Sequence, residues 1–563
     1  MRVALLCYVI AFAVRVATGL LFPDPAYPDS YYYVAVAHAL HEGRGLSVDF
    51  IWNFVDVGGR LPADPHLPVP SNAHWMPLAS LIQVPFLALL GETAWAWLLP
   101  FALVGAASAP LTWAIARDAG LRRERAAAAG LLGAVPGAAS PFLSQPDNFG
   151  LFMPLGALAL WLCARGIRGD RRAFALGGLA VGLATLSRND GVLLAAPFAL
   201  AFAWERWRRW RAGAGGATPP RITVQAAVAS GLLFLAATGP WYARQLAVFG
   251  SLSPSAQSGR ILWITTYREL YSVTGETTLG SFLAQGPASL LTSRLEGLAW
   301  AAVILAAVPL LLYLAPLALL GAGVRRRETT FRPWAVYGAT LLAFSGLLFA
   351  VHVRYGTFLH SAVALAPHAY VAAIEGVAIV VAWVARRRPH WDPERAARNF
   401  ALMAVAVAWC GGAIATWRLQ GDWRMEADGR RAAAIFLGGV AGAGDRLMSP
   451  DAGGYRYYTG LGGVVTPDDP LPTVEAVARA YDVRWLVLER DHLVASLGDV
   501  YRGVTPPPRW LTGPLYTLPG TAPPGTGGAG ETGSRPALPR LAVYAVCLDP
   551  DDARPACRPG ASP

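Results

Sequence analysis

Apolar stretches long enough to cross a bilayer recur along almost three quarters of this chain, and they limit its fold more than any other feature. They lie at roughly 3–22, 95–116, 126–143, 148–164, 173–187, 190–204, 222–240, 298–322, 333–351, 358–384 and 399–417. A run of about 20 apolar residues crosses the hydrocarbon core as a helix, because only there are all its backbone polar groups satisfied within the segment. Composition agrees: of 563 residues, 54% are hydrophobic and only 15% charged, too few to cover a soluble surface. The expected fold class is a polytopic α-helical membrane protein of about 11 transmembrane helices. The first stretch follows Arg2 and ends in Leu21-Phe22-Pro23 without a small-residue cleavage pattern, so it reads as a retained span.

The basic residues orient these spans. The formal net charge is +11, and all 47 basic residues are arginine, a usage in keeping with a GC-rich bacterial genome. The arginines cluster at 117–125, 165–172, 206–221, 325–332 and 386–398. With eleven spans and the N-terminus inside, every cluster falls in the cytoplasm, as the positive-inside rule requires. The segment 75–90 is also apolar, but counting it as a span would put the first cluster outside. It is short and holds Pro77 and Pro85, so it reads as an interfacial or re-entrant helix on the outer side. Three regions then lie outside the cytoplasm: 23–94, 241–297 and 418–563. The basic excess is thus a topology signal, which argues against nucleic acid as a partner, and the expected location is a bacterial inner membrane.

A membrane domain is expected over 1–417, with outer loops 23–94 and 241–297, followed by a soluble extracytoplasmic domain over 418–563. In that domain Asp445–Ser449, Val464–Pro467 and Val483–Leu488 read as short strands, and Pro472–Tyr481 has helical character between two of them. Strands alternating with helices predict a small α/β fold. The Gly/Pro/Thr-rich run 519–539 reads as a loop before a last strand, Leu541–Cys547. Cys7, Cys163 and Cys410 sit in apolar stretches, whereas Cys547 and Cys557 lie close together in polar sequence. An extracytoplasmic setting permits these two to form a disulfide.

The polar residues at the outer ends of spans are the candidates for chemistry. Asp29, in Pro28-Asp-Ser-Tyr-Tyr-Tyr33, stands just beyond the first span. It either caps the following helix or serves as a base at the depth where a lipid-borne head group would sit. Phosphate is already a good leaving group, so one base and cations for the departing phosphate suffice. Asp147 has the same two readings, as a cap for the helix from Phe149 or as an assisting acid. Arg188, Arg244 and Arg354 fall at outer span ends, where guanidinium forks match phosphate oxygens; snorkelling, or pairing of Arg188 with Asp190, is the alternative. Arg15 lies within the first span, where an ionisable group faces the protein interior, and structural pairing is the simpler reading. Tyr33, Trp241, Tyr242 and His352 complete the candidate binding set, with an interfacial aromatic belt as the default reading for the aromatics near the second outer loop. His38 and His41 share a helical face, which a divalent metal ion could use, but no carboxylate-plus-histidine spacing completes a site, and none is assigned.

Several of these segments resemble one family. Asp29-Ser-Tyr-Tyr-Tyr after the first span is similar to the first-loop motif of the GT-C membrane glycosyltransferases. The stretch Gly239-Pro-Trp-Tyr-Ala-Arg244, continuing to Phe249-Gly250, resembles a segment of their protein-mannosyltransferase and aminoarabinose-transferase branch, which is glycosyltransferase family 39-like. Leu186-Ser-Arg188-Asn-Asp190-Gly191 resembles a third segment, and Tyr457-Tyr-Thr-Gly460 resembles the periplasmic domain of bacterial members. The resemblance implies a polyprenyl-phosphate-linked sugar as donor, a lipid, protein or polysaccharide acceptor outside the cytoplasm, inversion at the anomeric carbon, Asp29 as base and Asp147 as its assistant. The family often has two adjacent acids in the first loop; here Ser30 takes the second place, which counts against a two-acid mechanism in that loop. The competing class is a transporter or lipid flippase without covalent chemistry, but the chain shows no internal repeat and its acids are not mid-membrane.

Overall fold

A computed structural model describes the chain except for Met1 and residues 213–218, 389, 521–537, 550, 551, 553 and 559–563. Two compact units alternate along the sequence. One comprises Met1–Pro25, Trp75–Ala247 and Gly286–Gly421; the other comprises Ala26–His74, Val248–Gln285 and Asp422–Pro563.

The first unit is helical, and the chain is a multi-pass integral membrane protein. Among the described residues, seven helices are long and apolar enough to cross a membrane: Arg2–Leu21, Ala94–Asp118, Phe149–Ile167, Val224–Phe249, Gly286–Ala307, Thr357–Ala385 and Pro393–Val440. An eighth results if Arg123–Ala134 and Gly137–Ser144, bent by 44°, count as one span. The remaining expected spans differ for physical reasons. Helices Arg171–Ser187 and Arg332–Leu347 are 17 and 16 residues long, and Ala195–Ala212 ends in a run of arginines. The stretch 298–322 is not one helix. It breaks after Ala307, where Leu311 and Leu312 take positive φ, and resumes as Ala315–Val324. Pro309, just past the break, cannot donate to the helical ladder, and Pro316 opens the next helix, but hydropathy alone runs unbroken through both. The segment 75–90 forms two short helices, Leu78–Leu81 and Val84–Leu90, too short to cross.

Without a hydrophobic drive between helices in lipid, close packing rests on small residues. Gly321 and Gly376 bring helices Ala315–Val324 and Ala366–Ala385 backbone to backbone. A Cβ at either would come within 2.0 Å of a carbonyl oxygen, Ala372 O and Leu317 O respectively. Gly178 allows the same approach to Ser230 O. Arg15, only 2% exposed, is tied down by protein groups alone: it donates to the carbonyls of Ala11 and Ala134 and to Ser108 Oγ. Ala134 ends helix Arg123–Ala134, so the guanidinium meets the negative end of a helix dipole. The structural reading of Arg15 accounts for these contacts.

The second unit is built on a sheet. Its strands are β1 (Ser47–Val48), β2 (Phe50–Ile51), β3 (Val69–Pro70), β4 (Arg446–Ser449), β5 (Gly463–Val465), β6 (Val483–Glu489), β7 (Leu511–Leu518) and β8 (Leu541–Val546). β1 pairs with β3, and the other six form one sheet in the order β2-β5-β4-β6-β8-β7. β2, β5, β4 and β6 run parallel, while β8 is antiparallel to both β6 and β7. Helix Leu471–Ala480 connects β5 to β6, burying Val474, Val477 and Ala478. The expected strands and helix of the C-terminal region are present, and the sheet gains two unexpected members. β7 alternates poorly, and β2 comes from the first long connection. The run 519–539 lies largely outside the described residues. Cys547 and Cys557 form the disulfide.

The two long connections are stitched into this unit. Arg456 Nε donates to Asp49 Oδ2 at 2.7 Å, and Gly463 N–H to Asp49 O at 3.1 Å. Asp469 accepts from Ser272 Oγ and Val273 N–H, each at 2.7 Å, and from Thr274 Oγ1. Arg260, 3% exposed, donates to the carbonyls of Gly59, Glu269 and Gly275.

Candidate functional site

In the helical unit, the polar candidates form a connected network. Asp147 precedes helix Phe149–Ile167 without capping it in the usual way; its Oδ1 accepts the adjacent Asn148 N–H at 2.5 Å. Its side chain is 0% exposed, and Oδ2 lies 3.4 Å from His360 Nε2. The His360 ring stacks on Phe149, with centroids 3.9 Å apart, and its Nδ1 is 2.8 Å from Gly356 O. A carbonyl only accepts, so Nδ1 carries the proton and Nε2 faces the acid. Next in the chain, Ser361 Oγ donates to Asp190 and accepts from Arg188 Nε at 3.1 Å. Arg188 holds Asp190 with both Nε and Nη2, at 3.0 and 3.2 Å, and donates to Thr357 O at 3.2 Å. The loop before one helix, the turn after another and helix Thr357–Ala362 therefore meet through these five side chains.

The other expected residues of this unit have separate surroundings. Arg244, on helix Val224–Phe249, donates to Gln245 Oε1 at 2.8 Å and lies over the Trp241 ring at 5.2 Å. Trp241 is buried and Tyr242 partly so. Arg354 is exposed and sits over Trp300 at 5.2 Å and Tyr355 at 6.0 Å. His352 is buried against Phe349, with ring centroids 5.7 Å apart.

In the sheet unit, Asp29 occupies the second position of helix Pro28–His41, whose N-cap is Tyr27. It is thus a first-turn acid rather than the cap, favoured there by the helix dipole. Ser30 and Tyr33 are both fully buried. Tyr271, from the second long connection, is within electrostatic reach of Asp29 and Asp451. Burial first, then Tyr267 and these two carboxylates, keep its phenol protonated well above the usual range. Helix Pro28–His41 also meets a charged cluster. Arg430, 4% exposed, pairs with Asp451 at 2.7 Å and Glu489 at 3.4 Å. Burial disfavours the Glu489 charge, but Arg430, His492 and the Tyr455 hydroxyl outweigh it and draw the acid down to about 2.

Asp56 stands apart from these pairs. It lies in the 3₁₀ turn Phe54–Val57, capped by Asn53, whose side chain accepts from Val55 N–H. Asp56 is 7% exposed, and burial pushes its carboxyl up to about 8, opposed only by the Trp52 indole. The native state therefore keeps a proton that the unfolded chain releases near pH 4. Stability from this group is full below that value and falls as the pH climbs toward 8. Asp56→Asn is expected to melt like wild type at pH 4 and several degrees higher at pH 8, as read by intrinsic fluorescence; an unchanged melting temperature at pH 8 refutes this.

Of these features, the Asp147–His360 contact, the Arg430 cluster and the approach of Tyr271 to Asp29 escaped the sequence reading. His360 and Tyr271 have partners more than two hundred residues away, beyond any local pattern.

Comparison with known proteins shows what the chain is similar to. Residues 70–218 match the family model described as dolichyl-phosphate-mannose-protein mannosyltransferase. No curated protein matches the sequence. Among solved structures, ArnT from Cupriavidus metallidurans bound to undecaprenyl phosphate is similar at 13% identity, covering 96% of this chain and 97% of that one, with a TM-score of 0.54. Its apo form matches at 12% identity, covering 95% and 97%, with a TM-score of 0.53. An Archaeoglobus fulgidus oligosaccharyltransferase in complex with Zn and sulfate matches at 13% identity, covering 92% and 72%, with a TM-score of 0.51. At these identities the likeness concerns the fold. The matched segment resembles, and the overall fold is similar to, membrane glycosyltransferases of the kind its motifs resemble. Among these, the chain resembles the protein-mannosyltransferase and aminoarabinose-transferase branch, as its motifs led us to expect.

Proposed function

We propose that this protein moves a sugar from a polyprenyl-phosphate donor to a lipid, protein or polysaccharide acceptor outside the cytoplasm of a bacterial cell, with inversion. The observation that carries this reading is the match of residues 70–218 to a polyprenyl-type mannosyltransferase family. The fold, shared over nearly the whole chain with ArnT from Cupriavidus metallidurans bound to undecaprenyl phosphate, supports it. Asp29 takes the proton of the acceptor hydroxyl as its oxygen attacks the anomeric carbon, and the lipid phosphate departs. Asp147, held against His360, orients the acceptor or assists the base. Arg244 and Arg354 bind the phosphate with the aromatic rings beneath them as supports, while Arg188 contributes through its pair with Asp190. Tyr33, Trp241, Tyr242 and His352 shape the surroundings. The proposed sidedness rests on the arginine clusters at the ends of the apolar helices, which the positive-inside rule puts in the cytoplasm.

The test incubates the purified full chain with a panel of radiolabelled undecaprenyl-phosphate pentoses and hexoses and an envelope extract. Release of undecaprenyl phosphate coupled to label in a new product is the expected result. Movement of donor across a vesicle bilayer with no bond broken overturns the proposal in favour of a flippase.

A further inference from the structure

The mechanism above uses the first turn of helix Pro28–His41 but assigns no task to the C-terminal region. Within the sheet unit, one buried cation links the two. Arg430, on the long helix Pro393–Val440, lies 5.5 Å from the ring of Tyr31, two residues beyond Asp29, and 5.6 Å from that of Tyr455. Its charge is balanced by Asp451 and Glu489, and Glu489 also accepts from Tyr455 Oη at 2.7 Å. Asp451 in turn caps helix Ala452–Thr459. The fit around the pair is tight: a Cβ on Gly454 would stand 2.4 Å from Arg430 Nη1 and 2.5 Å from Asp451 Oδ2. Tyr31 is held on its other sides by Tyr457 and Tyr458, at 5.5 and 6.0 Å between centroids. Asp451 and Asp29 both act on Tyr271, so the cluster and the candidate base share one electrostatic neighbourhood.

We infer that Arg430 is a positioning residue for Asp29. It clamps the first turn of the Asp29 helix through the face of Tyr31, and it neutralises Asp451, which would otherwise add an unbalanced carboxylate near the base. This rests on the reading of Asp29 as the base. A cation over an aromatic face is directional enough to fix the turn, and an uncompensated like charge raises a neighbouring carboxylate's affinity for protons. Arg430 touches neither donor nor acceptor in this scheme.

Full-length variants are assayed in detergent with the undecaprenyl-phosphate sugar panel, with the amount of folded protein measured by thermal melting. Tyr31→Leu, which removes the ring and leaves every charge in place, is expected to lower kcat about tenfold or more with KM little changed, since small misplacements of a reacting group are costly. Tyr31→Phe keeps the ring and keeps the wild-type rate. Arg430→Met shifts the acid limb of the pH profile of kcat/KM upward, because Asp451 is left unbalanced, and Arg430→Lys restores the limb. If Arg430→Met does not fold, Tyr31→Leu and Arg430→Lys carry the test: a low kcat in the first and a wild-type acid limb in the second are expected. Asp29→Asn runs alongside. If it is inactive while Tyr31→Leu turns over at the wild-type rate per folded molecule, the positioning role is wrong and the base stands. If Asp29→Asn retains transfer, the base reading itself fails.

Discussion

Asp29→Asn is expected to lower kcat by about 10²–10⁴-fold, the range over which a positioned general base contributes, while donor affinity and melting temperature stay close to wild type. Asparagine has nearly the same shape as aspartate but takes no proton at neutral pH. The position is the first turn of helix Pro28–His41, with Tyr27 as cap. Losing the negative charge there costs only about 0.3–1 kcal/mol of dipole stabilisation, so the variant folds and the rate reports chemistry. Single-turnover transfer with labelled donor, beside donor binding by native mass spectrometry, separates the two effects. A variant that binds donor and transfers at more than a tenth of the wild-type rate removes Asp29 from the role.

The second large effect is structural. Gly376→Val is expected to lower the melting temperature of the detergent-solubilised protein sharply and to cut its folded yield. The valine Cβ would begin 2.0 Å from Leu317 O and 2.7 Å from its carbonyl carbon. No flexible side chain is there to yield; the backbone of helix Ala315–Val324 must move. Overpacking a well-filled interior costs about 1–3 kcal/mol, occasionally more, and a backbone-to-backbone contact leaves no cheap relaxation. Gly411→Ala serves as the control, since a Cβ there meets nothing within 4 Å and alanine is the better helix former. Equal melting temperatures for the two variants would show that the close approach of the two helices is not what holds them.

The clash distances also mark where reading the sequence stops. Gly376 and Gly321 are two of 59 glycines, and nothing near either names its partner. The break at 308–314 falls in sequence as apolar as the helices around it, and only Pro309 marks it. β2 is only two residues long, Phe50–Ile51, and pairs with Gly463 and Val464; two residues show no alternation. Arg430 looks like one more arginine on a helix, yet its partners Asp451 and Glu489 lie on a cap and at a strand end that fold back from later in the chain. Asp29 and Arg188, by contrast, stood out early, because a charged residue at the end of an apolar run has few ordinary places to go.

What the linear order of residues determined by itself was the local physics. Runs of apolar side chains make membrane helices, short hydrophobic runs between turn residues make β4, β5, β6 and β8, and carboxylates and guanidiniums gather where such runs end. What only the tertiary structure decided was partnership: the joining of the two long connections to the C-terminal sheet, the contact of Asp147 with His360, the enclosure of Arg430. The reason is range. Hydrophobic period and capping act over a few residues, whereas ion pairs and close helix contacts join groups tens to hundreds of residues apart, and those distances exist only once the chain has folded.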